Sequence, residues 1–308
     1  MSGNDQPQPA RRDQQPVPNT QASASPALAL FNGKLYLAYQ GYGNHSSELW
    51  YTTCDVRSGA PSWSTTSIHI PYIGMSESPS LAVFNGKLYC AHQGGAHNSE
   101  LWYATTSDGV NWRDTQIPNI GMSESPSLAV FNGKLYCAHQ GGAHNSELWY
   151  ATTSDGVNWT DTHILHIGMS GSPSLAVFNG DLYCAHQGGD NNGELWYTTT
   201  FNGVHWAPDT KIPSIGLSGS PASAVFNGNL YLMHQGGGNS GQLWYTRSSD
   251  GVIWADDSCV GVESGDYLTV SGSPAVATVV DDPHGPAIFM AATGPDHTIN
   301  CIYESWLP

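Results

Sequence analysis

Residues 73–112 read IGMSESPSLAVFNGKLYCAHQGGAHNSELWYATTSDGVNW, and residues 120–159 repeat them without one difference. A unit copied so cleanly must be a self-similar piece of architecture. Within it, PSLAVFNG is a short apolar run closed by Asn85-Gly86, the commonest two-residue hairpin signal. KLYCAHQ follows as a second strand and runs into GGAHNSE, a polar, Gly-rich loop. LWYATTS is a third strand ended by Asp108-Gly109, and Trp112 to Ile117 form a fourth, weaker one. Nothing in the unit holds a helical period.

Working outward, Ser-Pro recurs at 25–26, 78–79, 125–126, 172–173, 220–221 and 273–274. Four short strands per ~47 residues, with Gly and aromatics at fixed offsets, predict a propeller blade. A β-helix would want shorter repeats, and a sandwich would not repeat so regularly. The last unit stops after its third strand, TINCIYESWLP. The missing fourth is offered at the other end, where QQPVPNTQASASP (14–26) aligns with DTQIPNIGMSESP (114–126). The expected fold is therefore all-β: a six-bladed β-propeller of four-stranded antiparallel blades, its ring closed by the N-terminal strand, which removes an open edge. Residues 1–12 are expected to be a disordered tail and 13–24 the closing strand. The six blades should cover about 25–72, 73–119, 120–166, 167–214, 215–265 and 266–308.

Only 11% of the 308 residues are charged, and 25 acidic against 9 basic side chains give a net charge of −16. A nucleic-acid binder needs a basic surface to displace counterions, so that class is close to excluded. Anionic membranes are disfavoured for the same reason. No stretch approaches the ~20 apolar residues of a membrane span. MSGNDQPQPARRDQQPVP has no apolar core of a secretory signal, so cytoplasmic synthesis is expected, with any release by another route.

In such a blade the a–b and c–d turns share one face and the b–c loop and d–a connector share the other. Here the first face has minimal Asn-Gly and Asp-Gly turns. The second carries the longer segments GYGNHSSE, GGAHNSE, GGDNNGE and GGGNSGQ, with connectors IGMSES, IGMSGS and IGLSGS. A scaffold needs only short turns, so longer polar loops kept in unit after unit point to sites. The competing reading is that they merely span a wider gap.

The recurrent residues can be weighed singly. His92, His139, His186 and His234 end the second strand, with Tyr39 in the first unit, and Gln40, Gln93, Gln140, Gln187 and Gln235 follow them. Glu48, Glu100, Glu147 and Glu194 precede Leu-Trp, with Gln242 in the fifth unit. Trp50, Trp102, Trp149, Trp196 and Trp244 sit in the third strand, and Trp63, Trp112, Trp159, Trp206 and Trp254 open the fourth. Neutral sugars are held by carboxylates, amides and imidazoles over an aromatic plate, and these residues supply that chemistry. Each has a plainer role as well: Trp as blade packing, Glu as a solvated strand end, Gln and His as buried groups bonded to backbone.

No metal is expected. His92 and His97 recur as His139 and His144, but no carboxylate or Cys completes a tetrahedral set. No cofactor is called for. Cys90, Cys137 and Cys184 share a position that is Leu37 and Leu232 elsewhere, which marks a small buried hydrophobe. Cys54, Cys259 and Cys301 are irregular, and a disulfide among them stays open.

The segments TTSDGVNW and SSDGVIW resemble the Asp-box turn of sialidases, a structural turn with usually one more residue before the Trp. A sialidase-like site would need three convergent arginines, and the chain has only Arg11, Arg12, Arg57, Arg113 and Arg247. A glycosidase needs two carboxylates at one unique centre. Polar residues here repeat instead, which suits multivalent binding rather than catalysis. The irregular sixth unit, with Asp281, Asp282, Asp296 and His297, is where an enzyme alternative would lie. A protein-interaction scaffold is the other alternative.

The unit SPSLAVFNGKLYCAHQGG…ELWYATTSDGVNW resembles the repeat of bacterial and fungal propeller lectins, nearest in style to the Photorhabdus-type (PLL-like) lectins and similar in unit length to the tachylectins. The resemblance covers about residues 14–308. It implies sugar pockets between neighbouring blades, with fucose or related neutral sugars and glycoconjugates as partners. Photorhabdus-type rings have seven blades, and six are expected here. Carried over, the second unit's set would be His92, Gln93, Asn98, Glu100, Trp102, Ser123 and Glu124. Equivalents are His139, Gln140, Asn145, Glu147 and Trp149; then His186, Gln187, Asn192, Glu194 and Trp196; then His234, Gln235, Asn239, Gln242 and Trp244, with Gln40, Glu48 and Trp50 in the first unit.

Overall fold

The computed structural model describes residues 10–56, 61–261, 267–279 and 286–305. Within them the regular elements are β-strands and four single 3-10 turns, Gly43–His45, Gly95–His97, Gly142–His144 and Gly189–Asn191. Of the expected tail, residues 1–9 lie outside the described residues, as do Arg57, Asp281 and Asp282.

The second unit shows the pattern. Strand Lys87–Gly94 pairs with the end of Ile68–Phe84 on one side (Leu81 opposite Cys90) and with Glu100–Thr106 on the other (His92 opposite Trp102). Glu100–Thr106 pairs outward with the start of Arg113–Phe131. Every residue of Lys87–Gly94 except the first is buried. Leu88 and Cys90 face the first unit's core, while Tyr89 and Ala91 face the third unit's. Burial on both faces is why this strand reads as an unbroken apolar run.

The connectors correct an expectation. IGMSES has the composition of a polar loop, but Arg113–Phe131 is extended over 19 residues, the outer strand of one unit and the inner strand of the next. Its middle is hydrogen bonded on both sides: Gly121 opposite Glu100, then Met122 opposite Gly141 and Ser123 opposite Gln140. The ladder jumps from Ser123 to Ser127, so Glu124, Ser125 and Pro126 bulge out of it. Pro126 has no N–H to give a ladder, and Glu124 sits at φ 62°.

These bulges meet in the middle of the molecule. The Ser25 N–H donates to Ser78 Oγ at 3.0 Å, Ser78 to Ser125 at 2.9 Å, Ser125 to Ser172 at 3.0 Å, Ser172 to Ser220 at 2.7 Å and Ser220 to Ser273 at 2.8 Å. One narrow cavity of about 150 Å³ is lined by the Ser-Pro segments of all six units. Hydrophobic cores fill the spaces between consecutive units, and Leu35, Leu37 and Cys54 of the first unit share a core with Phe289, Ala291 and Cys301 of the last. The outer Trp residues clamp these layers: Trp112 packs on Tyr51 and Trp159 on Tyr103, with ring centroids 5.9 and 5.8 Å apart. All six cysteines are free thiols, and burial pushes the Cys54 thiol up to about 12.

At the last unit, strand Ala10–Pro16 pairs antiparallel with Ile299–Ser305, completing the four-stranded sheet that also holds Ala275–Val279 and Ala287–Thr293. The strand thus starts and ends earlier than 13–24. Pro16 and Pro18 bracket its end, because proline cannot donate to a ladder. The Val17 N–H still bonds to the Ile299 carbonyl at 2.8 Å. Asn19 (φ 52°) matches Asn119 (φ 63°), as the sequence alignment places them.

Candidate functional site

Each b–c loop is held from below. Ser76 Oγ accepts the His97 N–H at 2.9 Å, and Ser123 Oγ accepts that of His144 at 2.9 Å, so a connector serine fixes the loop of the unit it enters. A Cβ on Gly94 would collide with the Asn98 carboxamide and the Trp102 indole nitrogen, so glycine is required there. Past the 3-10 turn, residues 98, 100 and 102 alternate with 99 and 101, which brings their side chains to one side of the strand.

Three of the expected residues meet there. Asn98 Nδ2 donates to Glu100 Oε2 at 2.8 Å, and Trp102 Nε1 donates to the same oxygen at 3.0 Å. Asn98 Oδ1 accepts the Glu100 N–H at 3.0 Å. The fourth unit repeats this with Asn192, Glu194 and Trp196, at 3.2 Å for both bonds to Glu194 Oε2. In the third, Asn145 reaches Glu147 at 3.0 Å, while Trp149 stacks on His163 at 4.6 Å. In the first, His45 Nδ1 stands in for the Asn at 2.7 Å from Glu48 Oε2, and Trp50 Nε1 adds a bond of 3.2 Å. Burial works to raise the Glu48 carboxyl, but the His45 bond with His69 and Trp50 outweighs it and holds it below its ordinary value. Lys211 bonds to Glu194 Oε1 and lowers that carboxyl likewise. The fifth unit has Gln242 and Trp244 without a carboxylate, and the Asn239 N–H is taken by Ser218 Oγ.

The other expected residues lie elsewhere. His92, His139, His186 and His234 have no exposed surface. Nδ1 of His92 is 3.0 Å from the Gln93 carbonyl, and Nε2 is 3.1 Å from Asp114; the other three repeat this with Asp161, Asp209 and Asp257. Gln93 and Gln140 are buried and donate to the connector carbonyls of Met122 and Met169 at 3.3 Å; Gln40 bonds to Met75 and Gln235 to Val270. Ser123 is buried beneath the next loop, and Glu124 turns to the molecular centre. The seven-residue set of the second unit is thus divided among rim, interior and centre, because a strand covered on both faces leaves no side chain free.

Among the described residues, cavities open on this face, one of about 410 Å³ beside Ser240, Gly241 and Gln242 of the fifth unit and two larger ones. A central one of about 780 Å³ is lined by the connector bulges, including Glu77, Glu124, Gly171 and Gly219. A peripheral one of about 530 Å³ lies where residues 16–21 pass the first unit, lined by Asn19, Gln21, Tyr39, Tyr42, His45 and Trp50. Tyr42, His45 and Asn19 do not stand out in the sequence as lining residues; the alignment that places 14–26 beside the first unit is the signal available. His69, His163 and Lys211, which border the Trp–Glu clusters from the outer strand, carry no signal, since that position is Gln116 in the second unit.

No known family profile matches the sequence. No curated protein matches it either. Solved structures do resemble it. AofleA from Arthrobotrys oligospora superposes with a TM-score of 0.69 at 11% identity, over 95% of this chain and 86% of the other. The GH43_1 enzyme from Xanthomonas citri, complexed with xylose, gives 0.55 at 14% identity, over 84% and 94%. A point mutant of the Aleuria aurantia lectin, in complex with Fucα1-6GlcNAc, gives 0.64 at 10% identity over 91% of each chain. The chain is therefore all-β with β-propeller neighbours, among which both lectins and enzymes occur.

Proposed function

We propose that the chain is a multivalent lectin: six blades closed into a ring by Ala10–Pro16, with no catalytic centre, binding neutral sugars of fucose or galactose type at the blade rims. One observation carries this reading. Glu and Trp stand two residues apart in four units, with the indole bonded to the carboxylate in three of them, and in Glu48, Glu100 and Glu147 one carboxylate oxygen receives the intramolecular hydrogen bonds while Oε1 has no partner among the described residues. A carboxylate oriented in this way accepts a sugar hydroxyl, and the half-buried indole beside it takes the C–H face. Acidic rims disfavour sialic acid, whose carboxylate would meet Glu. The 530 Å³ pocket beside Trp50 adds Tyr42, Asn19 and Gln21 to the same chemistry. Each site is small and weak, and a rigid ring converts several into avidity for glycoconjugates. The likeness to a lectin holding a fucosylated disaccharide supports the reading. Catalysis would need an asymmetric acidic pair, and the rim carboxylates repeat.

The test is a glycan array followed by calorimetric stoichiometry on the best neutral monosaccharide. Three to five sites per chain are expected, with Glu100→Ala and Glu147→Ala together removing two of them. A stoichiometry of one that survives the double substitution, or no binding at millimolar sugar, would overturn the repeated-site reading.

A further inference from the structure

The central cavity breaks the repeat. At the bulge position that opens each inner strand the residues are Ala24, Glu77, Glu124, Gly171, Gly219 and Gly272, so two adjacent units alone present carboxylates. Both are held in the left-handed region, Glu77 at φ 64° and Glu124 at φ 62°, where Gly171 (φ 67°) and Gly219 (φ 76°) sit without a Cβ. Glutamate there is strained, and such strain concentrates at functional sites. His97 Nδ1 lies 3.4 Å from Glu77, and His144 Nδ1 lies 3.7 Å from Glu124. Burial raises the Glu124 carboxyl, and the like charge of Glu77 raises it further, against the opposing effect of His144 and His97.

The rest of the wall is built for hydroxyl groups. Ser78, Ser125, Ser172, Ser220 and Ser273 line the cavity, and each Oγ already accepts a backbone N–H, which leaves its own O–H free to donate. Gln187 provides a second, independent mark. It lines the cavity at 6% exposure, and its side chain has no hydrogen bond among the described residues, whereas Gln40, Gln93, Gln140 and Gln235 all donate to connector carbonyls. Its amide reaches the cavity with no protein partner among the described residues, so it is open to a ligand.

We infer that the central cavity is a second binding site, distinct from the rim, for a short oligosaccharide bearing a free amine: a de-N-acetylated hexosamine of two or three units. Glu77 and Glu124 hold the ammonium, and the serine hydroxyls and the Gln187 amide hold the ring oxygens and hydroxyls. The volume of about 780 Å³ falls in the range of small-ligand pockets. One site per chain follows from the asymmetry.

Calorimetry with the glucosamine disaccharide carrying both free amines, against its N,N′-diacetyl form, tests this on the full chain. The amine form is expected to bind once per chain, at least about tenfold more tightly than the acetylated form. The double variant Glu77→Gly/Glu124→Gly should lose about tenfold or more while keeping its Tm, because both positions already have the backbone of their glycine counterparts. Equal affinity for the two sugars, unchanged affinity in the variant, a stoichiometry above one, or no binding of the amine at millimolar concentration would overturn the inference. The neutral-monosaccharide titration of the wild-type chain decides the lectin reading separately.

Discussion

His139 is packed without exposed surface, and both of its ring nitrogens face acceptors, the Gln140 carbonyl at 3.1 Å and Asp161 at 3.1 Å. Its work is to join the second strand to the outer strand of the same unit. In the first unit Tyr39 occupies that position and is likewise buried. Replacing His139 with alanine leaves a carbonyl and a carboxylate unmatched, and is expected to cost about 2–3 kcal/mol in urea unfolding while sugar stoichiometry stays the same. A fall in stoichiometry at unchanged stability would return the imidazole to the binding site. Histidine and glutamine at 92–93 resemble ligand groups in sequence because their types suit sugars and their strand ends at a loop. Whether a strand end is open or covered depends on the neighbouring unit, which local spacing does not encode. Asn98, Glu100 and Trp102 are legible as a cluster because period-two spacing puts them on one side whatever surrounds them.

Among the elements, the c–d turn is the most self-contained. Asp108 Oδ1 accepts the N–H groups of Val110 at 2.9 Å and Asn111 at 2.8 Å, and Oδ2 takes the Asn111 side chain at 2.7 Å. These bonds hold the carboxyl well below its ordinary 3.8, and Asp155 is held in the same way. A depressed carboxyl gives its stabilisation in full above the unfolded value and loses it as pH falls through the folded one. The fourth unit makes the same turn with Asn202, whose Oδ1 accepts from Val204 and His205 at 2.9 Å. Asp155→Asn keeps the turn's backbone bonds but loses the charged acceptor, so it is expected to melt below wild type at neutral pH and to lose less Tm than wild type between about pH 4 and strongly acidic conditions, where the two curves converge. Parallel Tm–pH curves for the two proteins would refute this. Such turns, like the Asn-Gly hairpins, are readable because their chemistry lies within a few residues. The connectors read as loops because Gly, Ser and Pro are loop signals, and their pairing partners lie in two different units.

Across the whole molecule, unit packs on unit from first to last, and the edge of the final sheet is covered by Ala10–Pro16. Removing residues 1–16 should uncover Ile299–Ser305 as an exposed strand edge. The expected result is a lower Tm and concentration-dependent self-association in size-exclusion chromatography. A truncated chain that stays monodisperse and equally stable would show that the strand is dispensable. The same pairing has a consequence in time. Ala10 lies opposite Ser305, so all the chain between them is made after one partner leaves the ribosome and before the other does. At about 5–20 residues per second the first strand waits roughly 15–60 s for its mate. Its composition suits that wait: ARRDQQP is polar, charged and ended by proline, a poor seed for premature pairing or aggregation while the chain up to its partner is still being made.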